Sequence, residues 1–176
     1  MKFRILAVIA TGVALLAGPA FAQAPAAPAA NPLDVIPDAM PFNTPYGAPI
    51  PVAQAKQLIA AAEAEAKKRG WAMNITVVDS GGNLVAFERM DGAQLASIAI
   101  SQHKARSALL YRRETKVFED AIQHGVTYVT TLDGMIGSRG GFPLVENGKI
   151  IGAIGCSGGT GSQDAATCGV APGMLK

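Results

Sequence analysis

Residues 155–168, GCSGGTGSQDAATC, crowd hydroxyls, an aspartate, two cysteines and repeated glycines into one short stretch. Three chemistries are open to such a stretch. Gly155-Cys156-Ser157-Gly158-Gly159 fits the G-x-S-x-G elbow that presents a nucleophilic serine at a strand-to-helix turn. That elbow needs an acid and then a histidine later in the chain, and both histidines, His103 and His124, come before Ser157. The nucleophile reading therefore fails on inventory. The glycines could instead offer backbone N–H groups to a carboxylate or phosphate, with Ser162 or Asp164 capping a following helix. Alternatively the stretch is a strand-to-helix turn pinned by a Cys156–Cys168 disulfide.

A second cluster is basic. YRRET brings Arg112, Arg113 and Thr115 to a helix junction, with Lys104 and Arg106 one to two turns earlier. Guanidinium forks suit a dianion such as a pair of propionates, although a solvated basic helix end has the same composition. His103 shares a helix face with Ala99, Ile100, Ser107 and Leu110, which points it to the core or to a partner subunit, as a hydrogen-bonded core histidine or as a ligand. His124 stands in the last turn of its helix, where the dipole favours it. No H-E-x-x-H, C-x-x-C or clustered-carboxylate spacing occurs.

Periodicity supplies the elements that must position these residues. Val52, Ala55, Leu58, Ile59, Ala62 and Ala66 recur at helical steps, and Lys67, Lys68, Arg69 and Gly70 end that helix. WAMNITVVD alternates, SGGN turns and LVAFERM returns, which predicts a β-hairpin. LASIAISQHKARSALLYRR is apolar on two sides of a helix, predicting burial between a sheet and a second surface and hence an oligomer. Thr115 then reads as the N-cap of a short helix through Val117, Phe118, Ala121 and Ile122 that stops at Gly125. Asn147-Gly148 between two apolar runs signals a second hairpin. The order α-β-β-α-α-β-β-α is an α+β pattern with an antiparallel sheet.

The N-terminal region has its own logic. Lys2 and Arg4, the apolar run Ile5–Ala17 and Ala20-Phe21-Ala22 read as a signal peptide over residues 1–22, which implies a periplasmic or secreted protein with no membrane span. The remainder holds 13 basic and 13 acidic residues, a balance that argues against a nucleic-acid partner. Residues 23–49 form an Ala/Pro-rich leader arm, with enough apolar side chains to lie on the domain or on a neighbouring subunit. Residues 50–176 are the folded domain. An oxidising compartment favours the disulfide over two buried thiols.

Taken together, VVDSGGNLVAFERMDGAQLASIAISQHKARSA, RRETKVFEDA and GGFPLVENGKIIGAIGCSGGTGSQD resemble the GlcG/HbpS-like haem-binding family, which includes PduO C-terminal-like domains, over residues 50–169. The resemblance implies a profilin-like domain with a five-stranded antiparallel sheet and flanking helices, assembly into octamers, and haem or iron as the ligand of exported members. The family's usual Arg-Pro-Thr aligns with Arg113-Glu114-Thr115, which carries a haem-facing role to Thr115, with His103 as the competing iron ligand and Arg112, Arg113 and Lys104 as propionate partners. The implied function is that of an exported haem carrier, scavenger or sensor accessory. An organic-acid-binding subunit or enzyme using the same cleft is the alternative.

Overall fold

The computed structural model describes residues 38–176, so the expected signal peptide and the first part of the leader arm lie outside the described residues. Four helices and four strands alternate as the sequence predicts: α1 (Val52–Lys68), β1 (Asn74–Asp79), β2 (Leu84–Arg89), α2 (Ala96–Leu110), α3 (Lys116–Gln123), β3 (Gly141–Glu146), β4 (Lys149–Ser157) and α4 (Gly161–Cys168). Short 3-10 turns follow α3 and α4. The strands form one antiparallel sheet in the order β2-β1-β4-β3. Asn147 and Gly148, at φ 50° and 71°, make the left-handed turn between β3 and β4 that their types require.

Among the described residues the sheet has four strands and not five. The segment that comes nearest to a fifth is the end of the arm, where Pro45 O accepts from Ile150 N–H, Gly47 N–H donates to Ile150 O and Ile50 N–H donates to Ile151 O. This amounts to a single parallel bridge at Tyr46. Pro45, Pro49 and Pro51 have no N–H to give, so no ladder can extend from it. Ile50 is nevertheless buried, which ties the arm to the core.

The two faces of the sheet are covered differently. On one face Leu58, Ile59, Ala62 and Ala66 of α1 pack with Ile75, Val77, Ile154 and Cys156, and α4 joins them through the Cys156–Cys168 disulfide, Cα–Cα 5.6 Å. On the other face α2 lies unusually close. A Cβ on Gly155 would meet Ser101 O at 2.2 Å, and one on Gly141 would meet Lys104 O at 2.3 Å, so only glycine lets the helix backbone approach the strands there.

This close approach corrects the reading of α2. Its buried face is Ser97, Ser101, Lys104, Ala105, Ser107, Ala108 and Leu109, while Leu95 and Leu110 are exposed and Ile98 and Ile100 are only half-buried. The buried hydroxyls are satisfied by one another and by the backbone: Thr76 with Ser101 at 2.8 Å, Ser157 with Ser97 at 3.0 Å, and Ile136 N–H to Ser107 at 3.2 Å. Small polar residues allow an interhelix-sheet distance that larger apolar ones would block.

Candidate functional site

The end of α2 builds the site. Arg112 takes φ 53°, its N–H donates to Leu109 O, and the Arg113 N–H donates to Ala108 O. These are the two bonds of a Schellman cap, with arginine at the left-handed position that glycine usually fills. A non-glycine residue there costs about 1–2 kcal/mol. The guanidinium that this strain presents is held over the Tyr46 ring at 4.6 Å. The Tyr46 hydroxyl donates to Leu109 O at 3.0 Å and Leu110 O at 3.2 Å, satisfying helix-end carbonyls.

Arg113 contacts two aromatic rings, 3.4 Å from the Phe42 centroid and 5.4 Å from that of Phe118, and its Nε donates to Tyr111 O at 3.0 Å. Tyr111 meets Phe118 edge to face at 4.9 Å, and its hydroxyl donates to Asp133 O. Burial pulls the Arg113 guanidinium below its ordinary pKa. Among the described residues, no carboxylate lies within ion-pair reach of Arg112 or Arg113.

Two cavities adjoin Arg113. One, about 530 Å³, lies between Met40, Pro41 and Phe42 of the arm and the end of α2; the other, about 220 Å³, is walled by Tyr111, Val117, Phe118, Tyr128 and Leu132. The arrangement is an aromatic and aliphatic slot with two guanidiniums at its junction that no carboxylate among the described residues pairs. It suits a flat, apolar body bearing carboxylates. A second pair of cavities, about 350 and 270 Å³, shares Trp71; Glu63, Asp91 and Lys67 line the first, no charged side chain lines the second, and neither presents a guanidinium.

The structure thus brings together Arg112 and Arg113 and separates the other candidates from them. Lys104 is not part of the basic junction. It is 1% exposed, and its ammonium donates to Asp164 Oδ2 at 2.6 Å and to Arg139 O at 2.7 Å. Thr115 does not cap α3 through its side chain and does not line the slot. It is fully buried, its hydroxyl oxygen accepts from Gly141 N–H at 3.0 Å, and its own N–H donates to Gly141 O, so it clamps α3 to β3. His103 faces neither core nor slot but is exposed on the outer side of α2.

The glycine turn resolves as well. Ser157 is buried against Ser97, and Gly158 and Gly159 N–H both donate to Asp164 Oδ1 at 3.0 Å. The cradle holds the chain's own carboxylate. The α4 cap is Thr160, in a capping box with Gln163, and not Ser162 or Asp164. Sequence reasoning missed Phe42, Tyr46 and Phe118 as site residues; Phe118 stands close after YRRET, whereas no local signal ties Phe42 and Tyr46 to it.

Residues 50–171 match the family model described as haem degrading protein HbpS-like. The chain belongs to the HbpS-like family. Among relatives, it is 45% identical over 103 residues to Protein GlcG of Escherichia coli K12, covering 58% of this chain and 77% of GlcG. The solved structure of Klebsiella pneumoniae ORFY has a TM-score of 0.68 at 32% identity, covering 79% of this chain and 95% of ORFY. A PduOC structure solved as a haem complex has a TM-score of 0.65 at 25% identity, covering 73% of this chain and 96% of its own. The HbpS-like match starts at Ile50, so Met40, Phe42 and Tyr46 of the slot fall outside it.

Proposed function

We propose that this HbpS-like chain is an exported haem-binding protein whose ligand occupies the slot at the α2–α3 junction. The observation that carries the reading is Arg113: a half-buried guanidinium in contact with the Phe42 and Phe118 rings, beside two apolar cavities and without a carboxylate partner among the described residues. Leaving a cation partly desolvated and unpaired is costly unless a ligand's anion completes it. Membership of a family described by haem degradation, and a structural neighbour solved with haem, support porphyrin as that ligand.

The residues fit. Tyr111, Val117, Phe118 and Leu132 would hold the ring, and Arg112 and Arg113 would answer the propionates. Haem, when bound, supplies a redox-active iron. The slot lining carries possible donor atoms on Met40, Asn43, Tyr111 and Tyr128, whereas the expected ligands Thr115 and His103 lie away from the lining. Thr115→Ala and His103→Ala should therefore leave the Soret band in place. Export is part of the same reading and is supported by the Cys156–Cys168 disulfide. Self-association is supported by the outer side of α2 and the edge strand, where Leu95, Leu110 and Leu84 are 68%, 56% and 49% exposed.

Haemin titration of the purified chain tests the function. Saturable binding with a Soret shift, weakened roughly tenfold or more in Arg113→Ala, is expected for a lost charge-assisted contact. Unchanged affinity in Arg113→Ala would refute the site. Tight binding of a small organic dicarboxylate in place of haemin would favour the organic-acid alternative.

A further inference from the structure

The slot has one wall that the family match does not contain. Met40, Pro41, Phe42 and Asn43 come from the arm, and they line the larger cavity opposite the end of α2. Two of the arm's aromatic rings meet the two arginines one to one: Phe42 with Arg113 and Tyr46 with Arg112. Phe42 reaches its ring position at φ 60°, a conformation that a bulky residue adopts only when something holds it there. Its contact with Arg113, at 3.4 Å, is the closest of the cation–π contacts.

A guanidinium is planar, and its donors point outward along its edge. Aromatic rings that cover its faces therefore leave the edge able to bind a carboxylate, and they remove the rotamer freedom that binding would otherwise have to quench. The Phe42 ring packs against the Arg113 guanidinium at 3.4 Å, the Phe118 ring lies 5.4 Å away, and the Nε is held on Tyr111 O, so the terminal nitrogens are what is left for a ligand. Tyr46 is itself anchored by its hydroxyl on Leu109 O and Leu110 O, which fixes the ring beneath Arg112.

We propose that the arm segment 40–46 is part of the ligand site, with Phe42 and Tyr46 acting as positioning residues that preorganise Arg113 and Arg112 for the two carboxylates of a flat dicarboxylate. This rests on the slot being the ligand site and adds that recognition there runs through the carboxylates, with the arm setting its strength. The ring of Phe42 matters through the guanidinium it holds, so its removal should be felt only by ligands that carry free carboxylates.

The test pairs variants of the full chain with three probes: haemin, metal-free protoporphyrin IX, and haemin dimethyl ester, whose carboxylates are blocked. Binding is followed by absorption or by quenching of intrinsic fluorescence. Phe42→Ala and Phe42→Leu should each weaken haemin and protoporphyrin IX by roughly five- to tenfold, the order expected for one lost cation–π contact, and should leave the diester's weaker binding unchanged. Tyr46→Phe, which keeps the ring and loses the anchor, should show a smaller loss of the same selectivity. Equal weakening of the diester, or full affinity in Phe42→Leu, would overturn the proposal by reducing Phe42 to an apolar wall, while the slot itself would stand. Absence of binding by any probe to the unsubstituted chain would overturn both.

Discussion

Replacing Lys104 with methionine isolates the buried ion pair that ties α2 to α4. Lys104 and Asp164 side chains are 1% and 3% exposed, and the pair closes at 2.6 Å. Lys104 also donates to Arg139 O at 2.7 Å, and Asp164 Oδ1 accepts from Gly158 and Gly159 at 3.0 Å. Methionine fills the volume of the lysine stem but strands a carboxylate in the interior with only two neutral donors. Breaking a buried pair in this way costs about 3–5 kcal/mol. With a urea slope of about 2 kcal/mol per molar, the unfolding midpoint should fall by roughly 1.5–2.5 M at an unchanged slope. Adding Asp164→Asn removes the stranded charge and keeps an oxygen for the two glycine N–H groups. The double variant should therefore recover about 2 kcal/mol relative to Lys104→Met alone. A loss below about 1 kcal/mol for Lys104→Met, or simple additivity in the double variant, would refute the reasoning, because either would mean that the two groups are not coupled.

Three further outcomes follow from named contacts. Burial, then the shared contact with Glu63, raises the Glu88 carboxyl above its ordinary pKa. The folded state therefore binds more protons than the unfolded chain between the unfolded and folded values, and stability falls as pH rises through that window. Glu88→Gln should raise Tm at pH 7, with the gain vanishing below the ordinary carboxylate range, and a gain that persists at pH 3 would contradict the assignment. Gly155→Ala places a methyl 2.2 Å from Ser101 O and 2.5 Å from Ala105 N, both backbone atoms, so α2 must lift; a loss of about 3 kcal/mol or more is expected by denaturant titration. The Cys156→Ala/Cys168→Ala chain should lose about 3 kcal/mol, and the unreduced, denatured parent should show no free thiol.

The elements were legible because their signals are local. Alternation in ITVVD, the Asn147-Gly148 turn and the three- and four-residue steps of α1 each specify an element without help from distant residues. The face of α2 was not legible, since hydropathy takes Ser97, Ser101, Ser107 and Lys104 for a solvated side. Their burial depends on partners 25 or more positions away: Thr76, Ser157, Ile136 and Asp164. The same holds for the site. Arg112 and Arg113 stand out by charge, but Phe42 and Tyr46 join them only because the arm folds back across the end of α2. Thr115 carried a ligand role by resemblance, and its burial against Gly141 is a tertiary fact that no spacing reveals. The glycine turn misled for a related reason: an anion cradle and a turn that accepts its own aspartate have one composition, and only the Asp164 contacts separate them.

The location of iron in crystals of the chain grown with haemin tests the central claim most directly. An anomalous iron peak between the arm residues Met40–Phe42 and Tyr111, with the propionates on Arg112 and Arg113, is the result predicted. A peak beside Trp71, or beside the exposed His103, with the slot empty would contradict it.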